Sequence, residues 1–432
     1  MSYKRQLLEK ADKHLITSMV SKLQPVVVDR ASGCNVWDVD GTEYLDCFSG
    51  ISVTNVGHAR EEIVEAAMEQ ARRLVHACTY VYHVPKAIEL AAKLAEISPN
   101  KLEKTFFGNS GAEAVECSLK LARKFTKRHE FLALQASFHG RTLGCLSVTG
   151  HAIKRRYDMG PYLSGVAFAP VPYTYRSPFG EDPDECGKLC ALAVRDIIDL
   201  ETSNDVAAMI AEPVLGEGGI IVPPDDYFKI LKEVLEERNI LFIADEVQTG
   251  FGRTGELFAI EHYGIEPEVM TMAKGIAGGF PLGACIVRAD VGDSFEPGDH
   301  LSTFGGNPIC AAAALVNIEI ILREKLPERA AETGEYLISR LRELSENHTI
   351  IGEVRGRGLM VGIELVKDER KTPAKDEAQE VRERMREEGV LIGVGGVLDN
   401  VVRLQPPLII ATEDIDRTVE ALDRVLSTVG KA

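Results

Sequence analysis

Two apolar stretches of this chain end in residues that can do polar chemistry. Ile240-Leu241-Phe242-Ile243-Ala244 runs into Asp245-Glu246, and Val269-Met270-Thr271-Met272-Ala273 runs into Lys274-Gly275. Both runs have the length and composition of buried strands, which would leave the charged groups at strand ends. A third segment, Gly108-Asn109-Ser110-Gly111-Ala112-Glu113, follows one apolar run and opens a helical pattern. Ser110 with Glu113 fits a capping box, and the N–H groups of Gly111 and Ala112 can hold an anion such as phosphate in the helix dipole. The same segment also reads as a capped helix with no ligand.

An Asp-Glu pair ending a strand suits a nucleotide-hydrolysing site, but that chemistry requires a G-x-x-x-x-G-K-[ST] loop. Gly-Lys occurs only at Gly187-Lys188 and Gly430-Lys431, and neither is followed by Ser or Thr. Asp245 is then available to another cationic partner. A buried carboxylate beside a pyridine nitrogen keeps that nitrogen protonated, and the resulting electron sink is what carbanion chemistry on pyridoxal phosphate needs. A lysine at a strand end is usually just solvated. Lys274 differs in following residues that would bury its stem, and desolvation lowers an amine pKa toward Schiff-base chemistry.

The elements that must position these groups follow one pattern, an apolar run, a small-residue turn and an amphipathic segment, which is the mark of βα units on a parallel sheet. Strands are expected at 104–107, 131–134, 206–211, 240–244 and 269–272, and helices at 112–127 and 227–238. Ligands of such sheets bind beyond the carboxyl ends of the strands. After about Asn307 the texture becomes α+β, with helices expected at 311–322 and 330–345, strands at 360–366 and 401–404, and a last helix capped by Thr412. Residues 367–375 read as a charged surface loop.

Composition bounds the rest. With 45% hydrophobic and 27% charged residues in 432, the chain is an ordinary globular one of two expected domains. A net charge of -17 repels nucleic acid and anionic membranes. No stretch is long and apolar enough to span a bilayer, and residues 1–22 lack the apolar core of a signal peptide, so the expected compartment is the cytoplasm. Nine scattered cysteines read as reduced thiols, and Cys186 with Cys190 lacks the second pair a zinc site needs, so no metal is expected.

Taken together, Asp245-Glu246-Val247-Gln248-Thr249-Gly250-Phe251-Gly252-Arg253-Thr254-Gly255 and, at the expected distance beyond it, Thr271-Met272-Ala273-Lys274-Gly275 resemble class III aminotransferases, relatives of the ornithine, acetylornithine and 4-aminobutyrate enzymes. The resemblance covers nearly the whole chain. It implies an α/β fold, the fold type I of pyridoxal-phosphate-dependent transferases: a large domain with a mostly parallel central sheet flanked by helices, and a smaller α+β domain. The implied division is an N-terminal segment 1–55 packing with the small domain, a cofactor-binding domain 56–310 and a small domain 311–432.

The resemblance also assigns roles. Pyridoxal 5′-phosphate would form a Schiff base with Lys274, with Asp245 on the ring nitrogen, Val247 and Phe138 on the two ring faces and Gln248 near the ring hydroxyl. The phosphate would rest on Ser110, Gly111 and Ala112. Glu212 and His139 would complete the hydrogen-bonded floor. Thr303, in Ser302-Thr303-Phe304-Gly305-Gly306-Asn307-Pro308, would reach the phosphate of a second subunit, which makes a homodimer the functional minimum. Arg403 would grip a substrate α-carboxylate, Arg141 a distal one, and Glu217 would neutralise Arg403 when no α-carboxylate is present. Ile51 stands where ornithine enzymes tend to carry tyrosine, which argues against ornithine.

Subgroup signals conflict. Residues 351–364 with Thr372-Pro373-Ala374-Lys375 are similar to the alanine–glyoxylate type, whereas Phe138-His139-Gly140-Arg141 and Gly216-Glu217-Gly218 are similar to the 4-aminobutyrate and acetylornithine types. The implied activity is ping-pong transfer of an amino group from an α- or ω-amino acid to a 2-keto acid. An alanine–glyoxylate type transaminase and an amino-acid racemase on the same scaffold are the alternatives.

Overall fold

The computed structural model describes residues 2–16, 18, 23–99, 101–151, 156–180 and 182–430. An N-terminal meander comes first: β1 (Val28–Ser32), β2 (Asn35–Asp38) and β3 (Glu43–Asp46) pair antiparallel in that order. The central sheet then takes β4 (Leu102–Gly108), β5 (Glu130–Leu134), β6 (Val166–Ala169), β7 (Val206–Ala211), β8 (Leu241–Asp245), β9 (Val269–Met272) and β10 (Gly283–Arg288). Its spatial order is β4-β10-β9-β8-β7-β5-β6. Only β10 runs against its neighbours.

The last strands are β11 (Ile351–Arg357), β12 (Met360–Leu365), β13 (Val390–Leu391), β14 (Gly393–Gly395) and β15 (Val401–Leu404). Four of them form a second sheet in the order β11-β12-β15-β14. The remaining one, β13, instead pairs parallel with β3 and ties the N-terminal meander to the C-terminal part.

The central strands are apolar on both faces because both faces are covered. Leu132, Leu134, Met209, Ala211, Phe242, Ala244, Met270 and Met272 join the large core, while Phe131, Ala133, Ala208, Ile210, Leu241, Ile243 and Val269 pack with Val115, Leu119 and Ala122 of the helix Gly111–Thr126. Alternate residues therefore belong to different cores, the period of two that a strand imposes. All the parallel strands end on one edge, where Asp245 is the last residue of β8 and Ser110, Phe138, Glu212 and Lys274 follow β4, β5, β7 and β9.

One buried cation fastens the parts together. Arg253 is fully buried with no carboxylate partner among the described residues, and burial pushes its pKa down to about 9. Its guanidinium donates to Leu359 O at 3.0 Å, to Asn55 Oδ1 at 2.8 Å and to Pro406 O. These acceptors belong to the β11–β12 turn, the N-terminal segment and the chain just past β15.

Several expected elements are displaced by a residue or more. β8 runs from Leu241 and includes Asp245, so the carboxylate is the last strand residue and not the first of a loop. Thr412 is the first residue of the final helix Thr412–Leu426, whose cap is Ala411. Lys375 opens a helix, Lys375–Glu387, that a run of charged residues concealed. The short strands β6 and β10 also went unmarked by periodicity. Cys186 and Cys190 lie one turn apart on the buried face of the helix Pro183–Glu201, where burial pushes the Cys190 thiol up. Among the described residues no helix is long and apolar enough to cross a membrane.

Candidate active site

The strand ends enclose a cavity of about 340 Å³ lined by Ser110, Gly111, Ala112, Phe138, His139, Glu212, Glu217, Asp245, Val247, Gln248 and Lys274. These expected site residues are thus brought together. Arg403 joins the group through a 2.8 Å ion pair from Nη1 to Glu217 Oε1, with both side chains largely buried.

Asp245 is 3% exposed and its carboxylate is held by three protein groups. His139 Nδ1 lies 2.6 Å from Oδ2, and Oδ1 accepts from Thr271 Oγ1 at 3.0 Å and from the N–H of Val247 at 3.1 Å. Glu246, beside it, points the other way, accepting from Ile260 N at 2.7 Å and from the Thr249 hydroxyl, which fixes the turn after β8. The Asp-Glu pair therefore divides into one carboxylate for the cavity and one for the fold.

Glu212 accepts from Phe138 N at 2.8 Å and Gly216 N at 2.9 Å. It thereby orients both the aromatic ring over the cavity and the turn that carries Glu217. Burial pushes its carboxyl up to about 7, opposed by His139 and reinforced by Asp245.

Lys274 has a φ of 45°, a left-handed conformation that costs a lysine roughly 1–2 kcal/mol and is held here by the packed strand end. Burial lowers its pKa, with Glu217, Glu212 and Asp245 acting in the opposite sense and Arg403 adding to the fall. The neutral amine needed of a nucleophile is thereby favoured.

The cap of the helix Gly111–Thr126 departs from the expected box. Ser110 Oγ accepts from Glu113 N at 3.2 Å as expected, but Glu113 reaches back to Asn109, accepting from its N–H at 3.0 Å and its Nδ2 at 2.9 Å. The first-turn N–H groups of Gly111 and Ala112 have no intrahelical acceptor. Close approach is required around them: a Cβ on Gly111 would sit 2.8 Å from Val247 Cγ1, and one on Gly283 would sit 2.1 Å from Ser110 O.

These residues fit pyridoxal phosphate. Both amide atoms of Gln248 and the Nε2 of His139 are buried without a partner among the described residues, so polar groups face a space that protein does not satisfy. Anion donors at the helix start, the Asp245 side chain and the Lys274 amine border the same cavity, as the phosphate, ring nitrogen and aldehyde of that molecule require.

The sequence profile of the family described as Aminotransferase class-III matches residues 17–426. This chain belongs to the class III aminotransferases. The chain is 42% identical to the acetylornithine aminotransferase of Methanothermobacter thermautotrophicus, over 94% of each sequence. It is 41% identical to the leucine/methionine racemase of Thermococcus litoralis, over 99% of this chain and 96% of that one. Among solved structures, an (S)-enantioselective omega-transaminase from Thermomicrobium roseum superposes with a TM-score of 0.93 at 36% identity, over 99% of both chains. The class III aminotransferase is thus a transaminase with the α/β fold of its structural neighbours.

Besides Arg403, which reaches the cavity through Glu217, three expected site residues lie outside the aminotransferase's own cavity lining. Thr303 is exposed on a loop tethered by Ser302, whose Oγ accepts from Asn109 Nδ2 at 3.1 Å. Arg141 is exposed above the Phe138 ring at 5.3 Å. Ile51 is 39% exposed, on a turn where Ser49, Gly50, Ile51 and Ser52 all have positive φ. Conversely, Val53, Asn109 and residues 279–282 line the cavity without having been singled out. Asn109 stood within the cap motif, whereas residues 279–282 carry no signal beyond following Lys274.

Incubation of the aminotransferase with pyridoxal phosphate, borohydride reduction and peptide mapping is expected to place the pyridoxyl group on Lys274. A label on another lysine would show that the cavity has been misassigned.

Proposed function

We propose that this enzyme uses pyridoxal 5′-phosphate bound covalently through Lys274 and transfers amino groups from both α- and ω-amino acids to 2-keto acids. The observation that carries this reading is the buried Glu217–Arg403 ion pair beside the cavity of Lys274. A guanidinium buried for the sole purpose of stability gains little from such a pair. One that trades its carboxylate for a substrate's gains specificity.

Bound in the cavity, pyridoxal phosphate would supply a conjugated ring able to delocalise the electron pair left when a proton leaves the substrate carbon. Asp245, oriented by His139, Thr271 and the Val247 N–H, would hold a proton at the ring nitrogen. Lys274 Nζ would take the proton from the substrate carbon as a base and deliver it as an acid to a different atom, since return to the same carbon would leave the amino group where it was. Val247 and Phe138 exclude water from the ring faces, and Gln248 supplies the missing partner of the ring hydroxyl. Arg403 grips an α-carboxylate in a planar, two-pronged contact, displacing Glu217. With an ω-amino donor such as 4-aminobutyrate or β-alanine, Glu217 stays in place, and Arg141 is disposed to meet the distal carboxylate.

The acceptor half-reaction reuses the site in reverse, which gives ping-pong kinetics. A homodimer is part of the reading: Thr303 is exposed between exposed Leu301 and Phe304, and exposed Tyr80, Val81 and Tyr82 follow Thr79, which donates to Gly305 O of the same loop at 2.8 Å, apolar groups suited to a second copy. The racemase relative favours one alternative, in which Lys274 returns the proton to either face of an amino acid and no keto acid is needed.

Glu217→Ala is expected to slow single-turnover conversion by ω-amino donors about tenfold or more while leaving alanine and glutamate within about threefold. Equal losses for both donor classes, or no reaction with any ω-amino acid, would leave the α-amino transaminase or the racemase as the better account, and formation of D-amino acid without acceptor would decide for the latter. Mixed dimers test the shared site: Lys274→Ala subunits combined with Thr303→Ala subunits should regain one wild-type set of these groups per dimer and recover activity. A site built from one chain allows no such recovery.

A further inference from the structure

The turn that presents Glu217 is gripped by the C-terminal strands. On its near side Gly216 is tied to Glu212. Past that point the contacts cross to the second sheet: Gly396 N donates to Glu217 O at 3.2 Å, and the guanidinium of Arg355, on β11, forks onto the carbonyls that follow. Arg355 Nη2 donates to Gly219 O at 2.6 Å, and Nε donates to Gly219 O at 3.0 Å and Ile220 O at 3.1 Å. The clamp closes on a turn that would otherwise relax. Ile220 sits at a φ of 53°, which a β-branched residue avoids, and a Cβ on Gly219 would lie 3.2 Å from Gly396 Cα.

Arg355 is itself fixed from behind. It is 9% exposed, and its Nη1 donates to Glu364 Oε2 at 2.8 Å and also to Glu353. Glu364 in turn holds Arg176 at 2.6 Å, the Tyr173 hydroxyl and Asn400. None of these residues lines the cavity of Lys274. β11 and β15 belong to one sheet, so the clamp and Arg403 share a support.

We infer that Arg355 is a specificity-positioning residue, which pins the backbone of the Glu217 turn to the sheet that carries Arg403 so that only the Glu217 side chain moves when donors change. The inference rests on the dual-donor reading of Glu217. Without the fork, the strained turn drifts and Glu217 leaves Arg403 without a counter-charge whenever the donor has no α-carboxylate. Lysine in its place keeps the charge, but its three donors radiate from one atom and cannot span the Gly219 and Ile220 carbonyls on one side and Glu364 on the other as the planar fork does.

The test compares Arg355→Lys, Glu217→Ala and the double variant, with half-reaction rates for 4-aminobutyrate and alanine and hydrogen exchange of the peptide 213–222. Arg355→Lys should lower the 4-aminobutyrate rate about tenfold relative to alanine, raise exchange in that peptide and leave the rest of the map unchanged. In the Glu217→Ala background the same change should have no further donor-selective effect. Glu353→Gln, which loosens Arg355 from the edge of the cluster, should give a smaller loss in the same direction and covers the case in which the lysine variant fails to fold. Unchanged exchange in 213–222, or equal losses for both donors while Glu217→Ala remains selective, overturns the role of Arg355. Absence of selectivity in Glu217→Ala alone instead removes the dual-donor reading, so the two failures are told apart.

Discussion

A carboxyl group cut off from water must find its hydrogen-bond partners in the protein. Asp245 meets this demand with three donors drawn from three places: the loop after β5, the neighbouring strand β9 and the turn it opens itself. Those places come within reach of one another only at the shared edge of a parallel sheet. The order β9-β8-β7-β5 does this, setting Thr271 directly opposite Asp245 and leaving room over β7 for the loop that carries His139. The antiparallel β10 closes the other flank, where only glycine at position 283 lets it pass beside Ser110. The sheet, the helix start and the cavity answer to one electrostatic requirement.

That requirement propagates outward. Asp245 and a second buried carboxyl at Glu212 lie around the Lys274 amine, and Arg403, whose charge also acts on that amine, is paired with Glu217. Each partner is anchored by a different layer: Glu212 holds the start of the Glu217 turn, the second sheet holds its end, and Arg253 joins that sheet to the large domain's own turn. The Glu217–Arg403 pair therefore sits where the two sheets meet, and in the proposed function donor choice is a property of their joint.

Much of this was legible in the sequence for a physical reason. Strand β7 is an uninterrupted apolar run and β9 an apolar run broken only by Thr271, each leading to a charge, so their bounds and the positions of Glu212 and Lys274 could be read from residue type alone. The residues that act through backbone geometry could not. Arg355 lies in a stretch noticed only for its subgroup resemblance, and nothing in its neighbours announces that it would reach the carbonyls of Gly219 and Ile220, over a hundred positions earlier. Glu113 gave a correct cap but the wrong reciprocal bond, because a carboxylate one turn into a helix can reach either Ser110 or Asn109. Thr303 and Arg141 face outward in a single chain, and their meaning depends on a second copy and a substrate.

The central claim is that Asp245 holds a proton on the ring nitrogen of the bound cofactor. Nitrogen NMR of pyridoxal phosphate labelled at that atom, bound to the wild type and to Asp245→Asn, tests it directly. A protonated nitrogen is expected in the wild type from roughly pH 6 to 9, and an unprotonated one in the variant. An unprotonated nitrogen in the wild type, or the same signal in both proteins, would contradict it.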